Sequence, residues 1–408
     1  MHTSRNIFIL LIIIIIALGA LVGLYWANSS FINYNPSGGA DFIVGWKSMR
    51  NFMLDNVNPY GDVTLQNIQS LVYKKSALKS QYPYHVNIPL FLLIFFIPLA
   101  WISDLVLARI VWLIILETAL IGVVWVSLRL TNWRPHWLLL SVILLFSVFW
   151  FPTFSMLTTG TAIILQAFLF YAALRSINLG ADELAGALMA LCLLNIEATG
   201  MVFLGLIVWV VSTQRWRIAG GLVMTLVVII GLSVVFYPTW VLSFIGSTLA
   251  NWRSGTMPST YAIFEAWMPG IGKNIARIIS IVALTIILFE WSAMRGQEAR
   301  WLTWTISLTA AITPLLGFPY FPQWTVFTLP GILLVISVMV QRWKLPGLIS
   351  ALLVLAGVFI GLWGAQFASN VSAFVMLYPF LLTLLLYWVR WGAVRQPRLW
   401  ADEILLRG

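Results

Sequence analysis

Twelve apolar runs set the terms on which this chain of 408 residues can fold. They lie at about 7–24, 86–102, 105–128, 137–151, 156–174, 184–211, 218–238, 275–294, 301–318, 325–341, 346–365 and 372–389. Nearly all reach the roughly 17 residues or more that carry an α-helix across a hydrocarbon layer about 30 Å thick. In lipid every backbone N–H and C=O must find its partner inside the protein, and for segments this long and this uniformly apolar the solution is the helix. The composition agrees: 61% of residues are hydrophobic and 9% charged, against about 25% charged in an ordinary soluble domain. A soluble globular enzyme is excluded. The expected fold is all-α, a polytopic integral membrane protein of about 12 transmembrane helices, with one transmembrane domain over residues 1–408.

A formal net charge of +10 suggests nucleic acid until its placement is read. Lys and Arg gather in short tracts beside the apolar runs, where they orient a membrane protein. Membrane lipid is therefore the expected surrounding, and nucleic acid is not an expected partner. Arg5 precedes the first run, Ile7 to Leu24, which has no small-residue cleavage site within reach before Asn28. It reads as an uncleaved helix entering from the cytoplasm rather than as a signal peptide. Alternation from there puts Arg215/Arg217, Arg295/Arg300, Arg342/Lys344 and Arg390/Arg395/Arg398 on the cytoplasmic side, with both termini, as the positive-inside rule requires. The tract Arg129/Arg134 falls outside by the same count, so either one of the runs between 86 and 174 is re-entrant or the rule is locally overridden. The run at 184–211, interrupted by Asn195, Glu197 and Gly200, reads either as one long helix or as two half-helices. A bacterial plasma (inner) membrane suits such a chain, and nothing in the sequence points to a particular oligomeric state.

Reactive groups are scarce. One Cys, Cys192, and three scattered His (His2, His85, His136) suggest neither a disulfide nor a zinc cluster, so no metal and no cofactor is expected. Thirteen carboxylates carry whatever acid–base chemistry there is.

The longest polar interval, residues 27–85, follows the first helix and forms the first extracytoplasmic loop in this topology. Phe42, Trp46, Met49, Phe52 and Met53 recur at helical spacing, with Lys47, Arg50, Asn51 and Asp55 on the other side. That is the pattern of an amphipathic helix lying in the membrane interface. A second stretch from Asp62 has Leu65, Ile68, Leu71 and Val72 on one face and ends in Lys74, Lys75 and Lys79, after the turn sequence Asn58-Pro59-Tyr60-Gly61. Gly38-Gly39 permits a tight turn before Asp41. At or next to a helix start, Asp41 suits an N-cap. A carboxylate with apolar surroundings also suits a general base whose pKa is raised toward neutrality, and the two roles are compatible.

The ordered set of a first helix, Gly-Gly-Ala-Asp-Phe at 38–42, Trp46, an amphipathic helix, Asn58-Pro59-Tyr60, and Ile88-Pro89-Leu90-Phe91 through Pro98-Leu99-Ala100 resembles the N-terminal part of the GT-C superfamily of membrane glycosyltransferases. Within it the chain looks most like the polyprenyl-phosphate-mannose-dependent mannosyltransferases, glycosyltransferase family 87. The resemblance implies a GT-C-like fold and a catalytic base at Asp41. It also implies a polyprenyl-phosphate-linked sugar donor and a glycolipid or glycan acceptor on the extracytoplasmic face. Gly160-Thr161 stands where the family often has Gly-Gln, Glu197 near where it often has Lys, and Gln323, within Pro322-Gln323-Trp324, where many members have His.

Such a transfer needs a base for the acceptor hydroxyl, cations for the departing phosphate and a groove for the lipid. Direct displacement by an activated hydroxyl inverts the anomeric carbon and uses one carboxylate, which Asp41 supplies. Lys74, Lys75 and Arg253, with Lys47 and Arg50, are the outer-side cations for the phosphate, and each equally suits snorkelling to lipid headgroups. Tyr60, Tyr82, Tyr84, His85 and Trp46 suit contacts to a sugar, or anchoring at the interface. The interval 239–273 forms a second extracytoplasmic loop and carries Glu265, the second-choice base. Intramembrane Glu117, Glu197 and Glu290 are costly in lipid and face a cavity, a partner or the interface; Glu197 is the groove candidate. Two other classes fit the composition, a flippase or transporter of lipid-linked sugars and a surface-glycan polymerase or ligase.

Overall fold

The computed structural model describes residues 2–395 except 37, 76, 79–80, 195, 255–258, 319–320 and 368–370. Among the described residues the secondary structure is helical throughout, with no β-strand. Five helices are long and apolar enough to cross a membrane: Leu105–Leu130, Trp216–Phe236, Gly272–Met294, Gln323–Trp343 and Leu345–Phe367. A sixth is added if Trp137–Phe149 and Phe151–Thr159, bent by 52° where they join, are one broken span. Shorter apolar helices include Ile163–Asn178, Thr199–Thr213 and Leu377–Trp391. The first apolar run lies on the helix His2–Tyr34.

Three of the expected spans fold differently. The run 156–174 breaks at Gly160, its first residues closing the helix Phe151–Thr159 and the rest lying on Ile163–Asn178. The run 86–102 holds only the helical pieces Leu90–Leu93, Ile94–Phe96 and Ile97–Ala100. At about 1.5 Å per residue this is roughly 16 Å, half of a hydrocarbon layer. Pro89 sits at its N-cap and Pro98 in the first turn of its last piece, and each lacks the N–H a continuous helix needs. The run 184–211 is two helices, Asp182–Leu191 and Ile196–Thr213, separated by the 3-10 turn Cys192–Leu194. Leu193 leaves helical geometry there, at φ −75° and ψ 15°. The outer ends of the pair meet: Arg215 Nε donates to Asp182 at 3.1 Å, and Arg215 Nη2 donates to the Ile177 carbonyl at 3.2 Å. At the other end Gln166 Nε2 donates to the Cys192 carbonyl and to Thr199 Oγ1. The segment therefore runs out and back, as two helices and not one.

The chain packs as two compact units. The first comprises Met1–Thr118, Leu157–Ala162 and Leu242–Arg253, the second Ala119–Met156, Ile163–Val241 and Ser254–Gly408. At the centre of the second lies Ala299–Ile312, buried on every face from Trp301 onward. Three of its hydroxyls are satisfied within the helix: Thr303, Ser307 and Thr309 each donate to the carbonyl four residues back, the usual solution for Ser and Thr where no water reaches. Asp182–Leu191 and Trp216–Phe236 touch backbone to backbone, since a Cβ on Gly186 would stand 2.1 Å from the Ile218 carbonyl. Elsewhere Trp216–Phe236 buries only Ile218 and Ser233 and leaves Met224 and Val235 more than 70% exposed. A continuous apolar face of this kind finds its solvent in lipid.

Candidate functional site

The site is built in the first unit, around the start of the helix Ala40–Asp55. Gly39 precedes that helix at φ 82°, a left-handed conformation open to glycine at little cost. The turn is pinned twice. Gly39 N–H donates to the Thr158 carbonyl at 2.8 Å, and Ile43 N–H donates to the Gly39 carbonyl at 2.9 Å. Asp41 is thus the second helical residue, in the first turn where its charge suits the dipole. The N-cap position is occupied by Gly39 and makes no side-chain cap, so the capping role open to Asp41 is not the one it takes.

Packing explains why the turn sits where it does. Phe42 is buried between Trp112 at 6.0 Å and Trp46 at 6.3 Å, with Phe96 at 6.2 Å. Trp112 Nε1 donates to the Gly160 carbonyl at 2.7 Å, and Trp46 Nε1 donates to the Leu99 carbonyl at 2.9 Å. The interrupted segment 90–100 therefore seats the Asp41 helix. Gly160, at φ 71°, leaves room for Phe42, whose Cβ would lie 2.7 Å from an added Cβ. These contacts bring the turn 158–160 against the start of the helix, and Thr159 donates its hydroxyl hydrogen bond to the Asp41 carboxylate.

Burial lifts the Asp41 pKa from 3.8 to about 6, against the smaller downward pull of Thr159. A carboxylate of this pKa is ionised at neutral pH and basic enough to share the proton of an attacking hydroxyl. Tyr84, in left-handed backbone geometry at φ 56°, lies within range of the Asp41 charge. Burial first, then Tyr73, Asp41 and Tyr82, push its phenol pKa upward, so Tyr84 stays a neutral donor. Its ring meets Tyr82 edge-on at 5.0 Å and Tyr73 at 5.7 Å. The trio offers aromatic faces and hydroxyls beside a base, a combination suited to a carbohydrate.

The other expected residues are placed as follows. Tyr60 donates its hydroxyl to the Ile88 carbonyl at 2.9 Å and sets its ring against Phe244; Ser247 Oγ donates to the Val86 carbonyl at 2.7 Å. The 242–253 part of the second loop thus packs on the end of the first. His85 is half-buried, and its pKa is lowered by burial against the opposing charge of Asp62. Lys74, left-handed at φ 59°, ends the helix Asp62–Tyr73, and it and Lys75 are exposed. Lys47 is half-buried, its pKa lowered chiefly by burial. Arg50 is committed internally, donating to the carbonyls of Ala100 and Ile102. Asn51, expected on the polar side, is fully buried and donates to Thr64 Oγ1 at 3.2 Å, joining the two loop helices. Arg253 and Glu197 lie outside the residues whose side chains are described.

Gln323 and Glu265 belong to the second unit. Gln323 Nε2 donates to Ser155 Oγ at 3.3 Å. Glu265 is partly exposed and accepts from the N–H groups of Gly270 and Lys273, both at 3.2 Å, which makes it a support for the start of the helix Gly272–Met294. Of the intramembrane acids, Glu117 accepts from Asn28 Nδ2 at 3.0 Å. Glu290, 1% exposed, accepts from Tyr387 at 2.9 Å and pairs with Arg390, beside an open cavity of about 520 Å³ also lined by Ile286 and Phe289. Among the described residues no three His, Cys, Asp or Glu come together as a cation-binding group.

Sequence reasoning names Asp41 and Tyr84 among its candidates but does not name Thr159, Tyr73 or Trp112, which the structure sets around them. Thr159 is adjacent to Gly160-Thr161, the one signal that points to it; Tyr73 carries none that separates it from the other aromatics. Comparison with protein-family models, with curated proteins and with solved structures returns no match.

Proposed function

We propose that the protein is a membrane glycosyltransferase of the GT-C kind. It moves a mannose-like hexose from a polyprenyl-phosphate donor to a lipid or glycan acceptor on the extracytoplasmic face. The observation that carries this reading is Asp41, held by Thr159 at a glycine turn in the first loop and raised to about 6. In the reaction the acceptor oxygen attacks the anomeric carbon from the face opposite the phosphate. The bond from that carbon to the phosphate oxygen breaks, the polyprenyl phosphate leaves with the electron pair, and Asp41 takes the hydroxyl proton. Configuration inverts, because there is one displacement and one base. Tyr84 and its neighbours hold the sugar.

The topology that goes with this reading takes up the altered runs 86–102 and 184–211. With 86–102 too short to cross, Leu105–Leu130 is the second crossing and returns the chain to the cytoplasm, so Arg129 and Arg134 obey the positive-inside rule. The out-and-back pair 182–213 then keeps Arg215 and Arg217 on that side with Arg175 and Asp182. Its first arm, Asp182–Leu191, is ten residues long and no more able to cross than 90–100, so the pair enters and returns on the cytoplasmic side and both ends stay in the cytoplasm. The start of Leu105–Leu130, the loop 27–104 and Asp41 all lie outside.

The test is transfer of radiolabelled sugar from polyprenyl-phosphate donors to membrane lipids by purified protein, wild type beside Asp41→Asn. Label transfer that disappears in the variant supports the reading. No transfer from any donor, or transfer indifferent to the substitution, overturns it and brings a flippase to the front.

A further inference from the structure

Among the described residues of the first unit, Arg109 is a buried cation for which no carboxylate is provided. It sits on Leu105–Leu130, 5% exposed, and guanidinium is charged at every accessible pH. Its hydrogen bonds go to two backbone carbonyls, Pro36 at 3.3 Å and Asn35 at 3.5 Å. Both are long beside the usual 2.9 Å or so, and they leave most of its five N–H donors uncommitted.

The unit contains five carboxylates, and each is engaged elsewhere. Asp41 accepts from Thr159, and Glu117 from Asn28. Asp104 caps its own helix through the N–H groups of Val106 and Leu107. Asp55 acts on Lys47 and Asp62 on His85, and both are exposed. Burying an unpaired guanidinium is expensive, and anions with several oxygens are what its planar fork matches best.

The neighbourhood keeps that fork in place. A Cβ on Gly39 would stand 2.5 Å from Arg109 Nε, and one on Gly38 would stand 3.1 Å from Nη2. Two consecutive glycines thus let the guanidinium lie flat against the turn that leads into Asp41. Pro36 on that turn is exposed and Gly38 partly so, which opens the turn to a ligand from outside. Arg109 therefore lies against the glycines that lead into Asp41, so that an uncommitted cation and the base belong to one turn.

We propose that Arg109 is the anchor for the phosphate of a lipid-linked substrate, gripping the phosphate oxygens while Asp41 serves the acceptor. The proposal rests on the transferase reading for its substrate, but its test does not depend on turnover. Farnesyl phosphate serves as the probe, with farnesol as the control for the lipid tail and inorganic phosphate as competitor. Binding is measured on the purified full-length chain for wild type, Arg109→Lys and Arg109→Gln. A charge-assisted, multidentate contact predicts that Arg109→Gln weakens farnesyl phosphate binding about ten- to hundredfold, that Arg109→Lys keeps part of it, and that farnesol binding is unchanged. Competition by inorganic phosphate alone at similar concentration marks a free-anion site and overturns the lipid assignment. Equal binding by wild type and Arg109→Gln, or parallel loss of farnesyl phosphate and farnesol, overturns the anchor. In turnover, the donor KM rises in Arg109→Lys while the pH midpoint set by Asp41 stays in place, which a merely structural role in the turn does not predict. Phosphate binding through Arg109 without any sugar transfer refutes the transferase reading while sustaining the anchor.

Discussion

Replacing Asp41 by Asn keeps the shape of the side chain and removes its ability to ionise, which separates what this carboxylate costs from what it does. Its pKa stands at about 6 in the fold against 3.8 for the free group, a displacement equivalent to about 3 kcal/mol at about 1.36 kcal/mol per unit. The sign follows from which form the fold prefers. A carboxyl with a raised pKa contributes its full stability below pH 3.8, where it is neutral in both states, and loses it as pH rises through about 6. At pH 8 wild type therefore carries a penalty of up to about 3 kcal/mol that Asn does not, reduced in practice because the residue is partly exposed. Apparent unfolding temperatures in detergent should converge for the two proteins near pH 4 and separate by several degrees at pH 8, with Asp41→Asn the more stable. Turnover should move the other way. Loss of a positioned base costs about 10²- to 10⁴-fold, and the wild-type rate should climb through a midpoint near pH 6 and then level. A variant no more stable than wild type at pH 8 would refute the burial argument, whatever its activity.

Four further substitutions probe the surroundings. Thr159→Val removes the hydrogen bond that favours the ionised form, so the acid limb of the pH–rate profile should shift upward from about 6 by somewhat less than one pH unit, the worth of a bond of about 1 kcal/mol. Gly160→Ala places a Cβ at 2.7 Å from Phe42 in a left-handed backbone; a loss of about 1–3 kcal/mol in stability is expected, with a larger fall in turnover, read by unfolding and label transfer. Glu265→Gln keeps one of the two hydrogen bonds accepted at the start of Gly272–Met294 and should leave transfer unchanged, whereas a base would not survive it. Glu290→Ala strands Arg390 between Trp301 and Trp304 and should cost about 3–5 kcal/mol, while the double change Glu290→Leu with Arg390→Leu should recover much of that folded yield by size-exclusion chromatography.

What the sequence determines by itself is local. Uniform apolar runs dictate helices and a lipid solvent, since no other backbone arrangement satisfies itself over such lengths. The 3.6-residue rhythm from Phe42 to Met53 and from Leu65 to Val72 marks the helices Ala40–Asp55 and Asp62–Tyr73, and Gly38-Gly39 marks the turn before Asp41. Only tertiary structure decides what depends on partners distant along the chain. Hydropathy averages over a window and cannot see that Pro89 and Pro98 cut 86–102 into short pieces, or that Asp182 and Arg215 close 184–211 into a pair. Periodicity puts Asn51 on a polar face, but Thr64 supplies a buried partner across the loop. The pKa of Asp41 belongs to the same class, because burial in the fold raises it while Thr159, from a turn more than a hundred residues away that Trp112 helps hold, pulls it the other way. Amphipathic rhythm is written in neighbours three or four positions apart, whereas desolvation of one carboxylate depends on whatever the fold sets around it.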